Sequence, residues 1–285
     1  MSTVKRKNIR WSRLPSQVLI YAFLILAAVF MAFPFFWMVI TTVKPGNEVY
    51  SRTIQLLPSR LSFAAYKGLL GDPQLPVVRF FVNSIIISVG STLACVATGI
   101  LGAYALARHE IPGGMLFYYL IIATMMVPGE VVLIGMFWVV NAFHWINTYQ
   151  GMIMPMAVNA VIFLIIFNYM KGLPKELDEA ALIDGASHWQ ILRHVIVPIS
   201  MPAIYSGTLL MFLSAWQNFT IPYILAQSNK MYPLSVGALF IETELFATMQ
   251  QTLTLSTILT IPTLLVFILT QRFVFSGITM GAVKG

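Results

Sequence analysis

The one dense cluster of acidic residues in this hydrophobic chain lies in a polar interval, residues 173–202. Pro174 suits a first helical position, and Gly185 suits the left-handed residue that ends a helix. Ser187 and Gln190 have the spacing of a capping box, which starts a second helix. We therefore predict a helical hairpin, which would lie on a membrane surface or insert into a partner's cleft. Its cluster holds four of the chain's ten carboxylates: Glu176, Asp178, Glu179 and Asp184.

A fifth carboxylate, Glu130, lies within an apolar run, directly after Pro128 and Gly129. A charge at membrane depth is costly, so Glu130 is a candidate for the lining of a translocation pathway. The alternative is a residue that snorkels to the surface or pairs structurally. Pro128 and Gly129 would also break the helix and open backbone groups beside a cavity.

Amides and aromatic rings meet in a second apolar run at Trp216, Gln217, Asn218 and Phe219. Sugars are bound by such pairings, because amides bond hydroxyl groups and rings stack on C–H faces. Ordinary packing between helices also uses Gln and Asn. We favour packing over direct sugar contact, with the helix still bordering a pathway.

Several other site chemistries are missing from the sequence. The histidines, His109, His144, His188 and His194, do not have the spacing of metal ligands. Neither GxxxxGK[ST] nor GxGxxG occurs, so any ATP must be bound by another chain. The lone cysteine, Cys95, excludes an intrachain disulfide.

Composition indicates the elements that must position these residues. Apolar residues make up 58% of the chain and charged residues 9%, and the mean hydropathy is +0.82. Repeated apolar runs long enough to cross about 30 Å of hydrocarbon predict an all-α integral membrane protein. The net charge of +7 lies at loop ends and in an N-terminal cluster, without a basic face interleaved with aromatics, so nucleic-acid binding is not expected.

The apolar runs predict six transmembrane helices. We expect an N-terminal segment (1–17), a first span (18–40), an external loop (41–79) with a short helix near 62–70, a core domain (80–275) and a tail (276–285). Within the core, uninterrupted spans are expected at 80–107, 116–141, 151–170, 203–226 and 252–275, with the hairpin before the fourth of these.

Charge counting predicts the orientation of these spans. Eleven of the seventeen Lys and Arg residues fall on the side of the N-terminus, the hairpin and the tail. That side is therefore expected to be cytoplasmic, together with both termini. The external loop weakens this bias, because it holds five cations: Lys44, Arg52, Arg60, Lys67 and Arg79.

The hairpin resembles the EAA loop of permease subunits of binding-protein-dependent ABC importers. The family pattern is Glu-Ala-Ala, three residues, Gly, nine residues, then Ile-x-Leu-Pro. This chain keeps the spacing from Glu179 through Gly185 to Pro198, and two aliphatic identities differ. The likeness extends over nearly the whole chain through WMVITTVK, FVNS, AYALAR and QRFVFSGITMGAVKG. It is greatest to the second permease subunit of maltose-type sugar importers.

The resemblance implies a type I importer permease fold in a bacterial inner membrane. It implies a non-catalytic subunit that binds no cofactor, together with a second permease, an extracytoplasmic sugar-binding protein and two copies of a cytoplasmic ATPase that bind ATP and Mg²⁺. The residues expected to couple to the ATPase are Glu179, Ala180, Ala181, Asp184, Gly185 and Pro198. The tail residues expected to reach it are Gly281, Lys284 and Gly285.

Two alternatives remain open at this point. An importer of the same type for glycerol phosphate would need a cation in the pathway, which the spans of this chain do not offer, although the partner subunit could. A stand-alone secondary transporter would need paired intramembrane ionisable groups, and only Glu130 qualifies.

Overall fold

The chain folds into helices and connecting loops. The structure, a computed structural model, describes residues 14–51, 53, 55–73, 75–244 and 248–282, and no strand occurs among them. The helices are α1 (Leu14–Thr42), α2 (Gly46–Val49), α3 (Ala64–Gly71), α4 (Val77–Arg108), α5 (Gly114–Thr124), α6 (Gly129–Ala142), α7 (Tyr149–Ile153), α8 (Ala160–Lys171), α9 (Glu176–Ile183), α10 (His188–Ile191), α11 (Val197–Ile199), α12 (Met201–Trp216), α13 (Thr220–Leu225), α14 (Leu234–Glu244) and α15 (Met249–Ala282).

These helices fall into two compact units. The first comprises residues up to Gly68 together with Thr248–Thr257, and the second comprises Leu69–Ala247 with Ile258–Gly285. In the first unit, the side-chain amide of Gln250 donates to the carbonyl oxygens of Thr41 and Lys44 at 3.2 and 2.8 Å. These bonds tie the start of α15 to the end of α1.

The core of the second unit is formed by α4, α8 and α12, which pack against one another. Side chains from all three meet in one buried cluster, which includes Cys95, Ile166 and Met211. Ile191 and Ile196, from the hairpin region, are fully buried in the same cluster. The hairpin is therefore packed into the helical core rather than attached by a loose loop.

The predicted spans are broken more often than expected. Among the described residues, three helices are long and apolar enough to cross a membrane, and the number rises to six if each sharply bent pair is one span. The bends are 108° between α5 and α6, 47° between Tyr149–Met156 and α8, and 78° between His188–Ile199 and α12. The prediction of uninterrupted spans at 116–141 and 151–170 was therefore wrong.

Local chemistry explains each bend. Pro128 immediately precedes α6 and cannot donate the hydrogen bond that would continue α5. The Asn159 side chain accepts from Val161 N and Ile162 N, so α8 starts afresh there. Pro202, at the start of α12, likewise removes a donor after Ser200. The predicted span 203–226 ends at Trp216, because the Asn218 side chain accepts from Ile221 N and a new helix begins.

The ends of the chain differ from expectation as well. The first span is longer than predicted, from Leu14 to Thr42, and the helix predicted near 62–70 is α3. α15 continues to Ala282, so most of the segment predicted as a tail after 275 is helical.

Candidate functional site

The candidate site is the hairpin formed by α9 and α10. Gly185, at the turn, has a φ of +80°, as the sequence predicted. Its N–H donates to Leu182 O and that of Ala186 to Ala181 O, both at 3.0 Å, which closes the end of α9. The predicted capping box of Ser187 and Gln190 is also present. The reversal is thus fixed by local sequence alone.

The apolar residues of the hairpin region divide between two faces. One face holds Ile191, Leu192 and Ile196, which are buried in the core. The other presents Ile183, which is 86% exposed, and Trp189, which is 60% exposed. The sequence pattern alone does not separate these two faces. The buried face anchors the hairpin, and the exposed face leaves large apolar side chains uncovered.

Arg108, the last residue of α4, fastens the entry to the hairpin. Its Nη1 donates to Leu173 O at 2.8 Å and its Nη2 to Pro174 O at 3.0 Å. Nη2 also lies 2.8 Å from Oδ2 of Asp178 in α9, and the Arg108 side chain is only 2% exposed. Asp178 is therefore an ion-pair partner as well as a first-turn acid. The planar guanidinium suits this combination of carboxylate and carbonyl oxygens.

A group of aromatic side chains fastens the start of α10 to the same end of α4. The Tyr104 hydroxyl donates to His188 O at 3.2 Å. The His109 ring lies edge-on to both Tyr104 and His188, with ring centroids 5.1 and 4.8 Å apart. Both helices of the hairpin thus contact the last turns of α4. Among the described residues, no three His, Cys, Asp or Glu side chains come together to hold a metal ion.

The residues predicted to couple to an ATPase lie along this hairpin and beyond it. Ala181 is half-buried, whereas the rest of the set is exposed in the isolated chain. Pro198 lies in α11, past a π-helical turn, Leu192–Ile196, and is separated from the tip. The exposed set is Glu179, Ala180, Asp184, Gly185 and Pro198.

Comparison with known proteins identifies the class. The model of the binding-protein-dependent transport system inner membrane component family matches residues 96–275. The chain belongs to this family. It is 33% identical over 273 residues to the trehalose/maltose transport system permease protein MalG of Thermococcus litoralis, covering 94% of this chain and 97% of that protein. It is 30% identical to the inner membrane ABC transporter permease protein YcjP of Escherichia coli, covering 95% and 97%.

A solved structure supports the same fold. A chain of a bacterial ABC transporter involved in the import of the acidic polysaccharide alginate superimposes with a TM-score of 0.82. The two chains are 23% identical, and the match covers 96% of this chain and 100% of the other. The protein is therefore a membrane permease subunit of a transport system, with the importer permease fold, and is not an enzyme.

The four residues predicted at 216–219 have separate environments in this permease. Trp216 is buried: its Nε1 donates to Leu259 O at 2.9 Å, and its ring packs on Phe81 and Phe212. For Trp216, packing between helices is thus the observed role. Asn218 caps α13, Gln217 is exposed, and Phe219 is partly exposed.

Glu130 and the tail complete the predicted set. Glu130 lies in the first turn of α6 and is exposed in the isolated chain, directly after the 108° bend. A carboxylate is favoured there by the exposed N–H groups of a helix start. Gly281 lies in the final turn of α15. Lys284 and Gly285 lie outside the described residues.

Proposed function

We propose that this permease is one of two homologous subunits that form the translocation pathway of an ATP-driven sugar importer. Two copies of a cytoplasmic ATPase would bind ATP and Mg²⁺, and an extracytoplasmic sugar-binding protein would deliver the sugar. The observation that carries the proposal is the hairpin. Both of its helices contact α4, through the Arg108–Asp178 ion pair and the Tyr104–His188 hydrogen bond, yet Ile183 and Trp189 remain exposed.

The exposed face of the hairpin would dock into a cleft of the ATPase. An isolated apolar side chain on a surface needs no explanation, but large apolar residues beside a cluster of carboxylates on a fixed protrusion are typical of a docking element. Glu179 would face the ATPase, and Gly185 would keep the turn narrow. Movement of the cleft would reach α4 through Arg108 and Tyr104.

Sugar is the proposed cargo because a relative at 33% identity is named a trehalose/maltose permease. A disaccharide or oligosaccharide therefore fits better than glycerol phosphate. An anionic cargo would need a cation in the pathway that is free to bind it. Arg108 is not free, because it pairs with Asp178 and donates to two carbonyl groups.

The docking role is tested by Ile183→Asp in the assembled transporter. We expect the ATPase to be lost on co-purification, or ATP hydrolysis to become independent of sugar, with insertion and pairing with the second permease kept. His194→Ala, another exposed change in the same region, is the control and should behave as wild type. Normal sugar uptake by the Ile183→Asp transporter would refute the proposal.

The proposed orientation has its own test. Cys95 is the one cysteine of the sequence, so Cys95→Ser gives a cysteine-free background in which Ser187→Cys and Asn47→Cys are compared. An impermeant thiol reagent added to intact cells should label position 47 and leave position 187 unlabelled. Labelling of position 187 from outside would reverse the orientation.

Glu130 is proposed to line the pathway. Glu130→Gln should leave assembly intact and change sugar uptake, because it removes a charge while keeping the shape. Glu130→Leu should impair uptake at least as much. Normal uptake by Glu130→Leu would show that the carboxylate snorkels or plays only a structural part.

A further inference from the structure

The segment after α12 forms a small, open cavity with mixed polar and apolar walls. Its volume is about 180 Å³, and it is lined by Tyr223, Tyr232, Val236, Leu239, Phe240 and Thr243. Pockets for drug-sized ligands usually measure about 300 to 1,000 Å³, so this cavity has room for a single ring rather than for a long chain.

Two tyrosine hydroxyl groups at this cavity have no partner among the described residues. Tyr223, which is 58% exposed, stacks its ring on Phe219 with centroids 4.9 Å apart and 21° between the planes. Tyr232 meets Phe240 edge-on at 5.9 Å. The cavity thus combines ring faces with phenol groups that are available to donate and accept hydrogen bonds.

A buried polar clamp fixes the turn that carries Tyr232. The Asn83 side chain, 1% exposed, donates to Lys230 O at 3.0 Å and to Tyr232 O at 2.9 Å. It also accepts from the Tyr149 hydroxyl at 2.7 Å, and Ser84 Oγ accepts from Leu234 N at 2.7 Å. Both ends of the Asn83 carboxamide are therefore in use: the nitrogen holds the turn, and the oxygen is held by Tyr149. The cavity wall is therefore preformed rather than a product of loop mobility.

A second, larger cavity has a lining that would suit a lipid or another hydrophobic ligand. It measures about 380 Å³ and is lined almost entirely by apolar atoms from the region of Gly102, Phe117 and Phe163. The cavity at Tyr223 differs, because it offers hydroxyl groups together with aromatic faces. That pairing is the one that recognises a sugar ring, whose C–H face stacks on an aromatic ring while its hydroxyls bond to polar groups.

We infer that the cavity between Tyr223, Tyr232 and Thr243 is a carbohydrate subsite, in which one pyranose ring stacks on the exposed aromatic surface. The inference rests on the proposed function, and it deepens it by giving this subunit a direct contact with the cargo. Phe219, predicted from the sequence as a pathway residue, supports the ring of Tyr223 from outside the cavity. The clamp residues Asn83 and Ser84 are positioning residues for it.

Sugar protection of an introduced thiol tests the subsite directly. In the Cys95→Ser background, Thr243→Cys places a thiol at the cavity. Glu242→Cys places one at the preceding residue of α14, which is exposed but does not line the cavity. The assembled transporter is treated with a cationic methanethiosulfonate reagent, with and without maltose, trehalose or maltotriose at about 10 mM, which is well above the usual KM range of about 1 μM to 1 mM. We expect a transported sugar to slow the reaction about tenfold at position 243 and to leave position 242 unchanged.

A kinetic comparison provides the second measurement. Tyr223→Ala should raise the KM for that sugar about tenfold with little change in the maximal rate, whereas Tyr223→Phe, which keeps the ring and loses only the hydroxyl group, should raise it by a smaller factor. Trp138→Ala removes an aromatic residue of comparable exposure that does not line the cavity, and it should leave KM unchanged.

Three other results would each overturn the subsite. Equal thiol reactivity with and without a sugar that the same transporter takes up would overturn the subsite and leave the proposed function standing. A thiol at position 243 that does not react in the assembled transporter would show that the second permease covers the cavity, and it would also overturn the subsite. If none of the three sugars is taken up or stimulates ATP hydrolysis, the proposed function and the subsite both fall.

Discussion

Lys44 and Arg108 are buried cations in different units of the molecule, and their partners differ. The Arg108 guanidinium faces a carboxylate and two carbonyl groups. Lys44, 3% exposed, donates to Gln55 O at 2.5 Å and lies 4.1 Å above the centre of the Trp37 ring. One cation is held by an opposite charge, the other by neutral groups.

The carboxylate nearest to Lys44 in sequence has another role. Glu48 accepts hydrogen bonds from the N–H and the hydroxyl group of Ser59. The Ser59 hydroxyl is the main cause of the lowered pKa of Glu48. No ion pair of Lys44 occurs among the described residues. A buried cation can thus hold a loop through ring and carbonyl contacts, whereas the ion pair found among the described residues lies at the junction between α4 and the hairpin.

The largest expected effect comes from breaking that ion pair on one side. Asp178→Ala leaves the Arg108 charge buried with only two carbonyl acceptors. Removing one partner of a fully buried pair costs about 3 to 5 kcal/mol. Because Asp178 is 18% exposed, we expect the lower end, about 3 kcal/mol. The entry to the hairpin should loosen, so the midpoint of thermal unfolding should fall and sugar-stimulated ATP hydrolysis should be lost.

A double variant separates the ion pair from ordinary packing. Arg108→Met combined with Asp178→Leu removes both charges and keeps apolar volume, so its stability should exceed that of Asp178→Ala. Equal losses in the single and double variants would mean that the unpaired charge is not the cause. Unchanged coupling in Asp178→Ala would show that the hairpin does not depend on Arg108 for its position.

A change at the turn should have a smaller effect on stability. Gly185→Val places a β-branched residue at a φ of +80°, which costs about 1 to 2 kcal/mol. An added Cβ would meet no atom within 4 Å, so the penalty comes from the backbone alone. That is too little to unfold helices whose backbone bonds are internal. We expect normal insertion with reduced ATPase co-purification and reduced uptake.

Gly113 offers a matched control for this change. It also has a positive φ, +76°, and an added Cβ there meets nothing within 4 Å. Gly113→Val therefore carries a similar backbone cost at the turn before α5, outside the hairpin. Coupling should survive in Gly113→Val and fail in Gly185→Val. Equal behaviour of the two variants would remove the special role of the hairpin turn.

The hairpin was predictable because its signals are local. Gly185 and the capping box of Ser187 and Gln190 act within a few residues, so sequence alone places the two helices. The Arg108–Asp178 pair was missed because its members lie far apart in the chain, and only the fold brings them within 2.8 Å. The separation of Ile191 from Trp189 likewise depends on what α4 and α8 cover.

The helix breaks were only partly predictable. Pro128 and Gly129 were recognised as a break, but not as a 108° bend. Asn159 was overlooked inside an apolar run, although an Asn in such a place is a known helix start. Average hydropathy does not register a single capping side chain. The burial of Trp216 depends on Leu259, which belongs to a distant helix and is not visible in the local pattern.

The smallest expected effect is at Lys44. Lys44→Met removes a contact with the Trp37 ring, worth about 0.5 to 2 kcal/mol, but it also removes the cost of burying an ammonium group. No carboxylate is left unpaired, because Glu48 bonds to Ser59. The methionine side chain keeps the apolar stem that fills the space beside Trp37. We therefore expect the unfolding free energy to change by less than about 1 kcal/mol, with sugar uptake preserved. The measurement is the thermal midpoint of the Lys44→Met transporter beside that of Asp178→Ala. Should the lysine change cost as much as the aspartate change, neutral partners hold a buried cation as strongly as a carboxylate does, and the contrast between the two sites disappears.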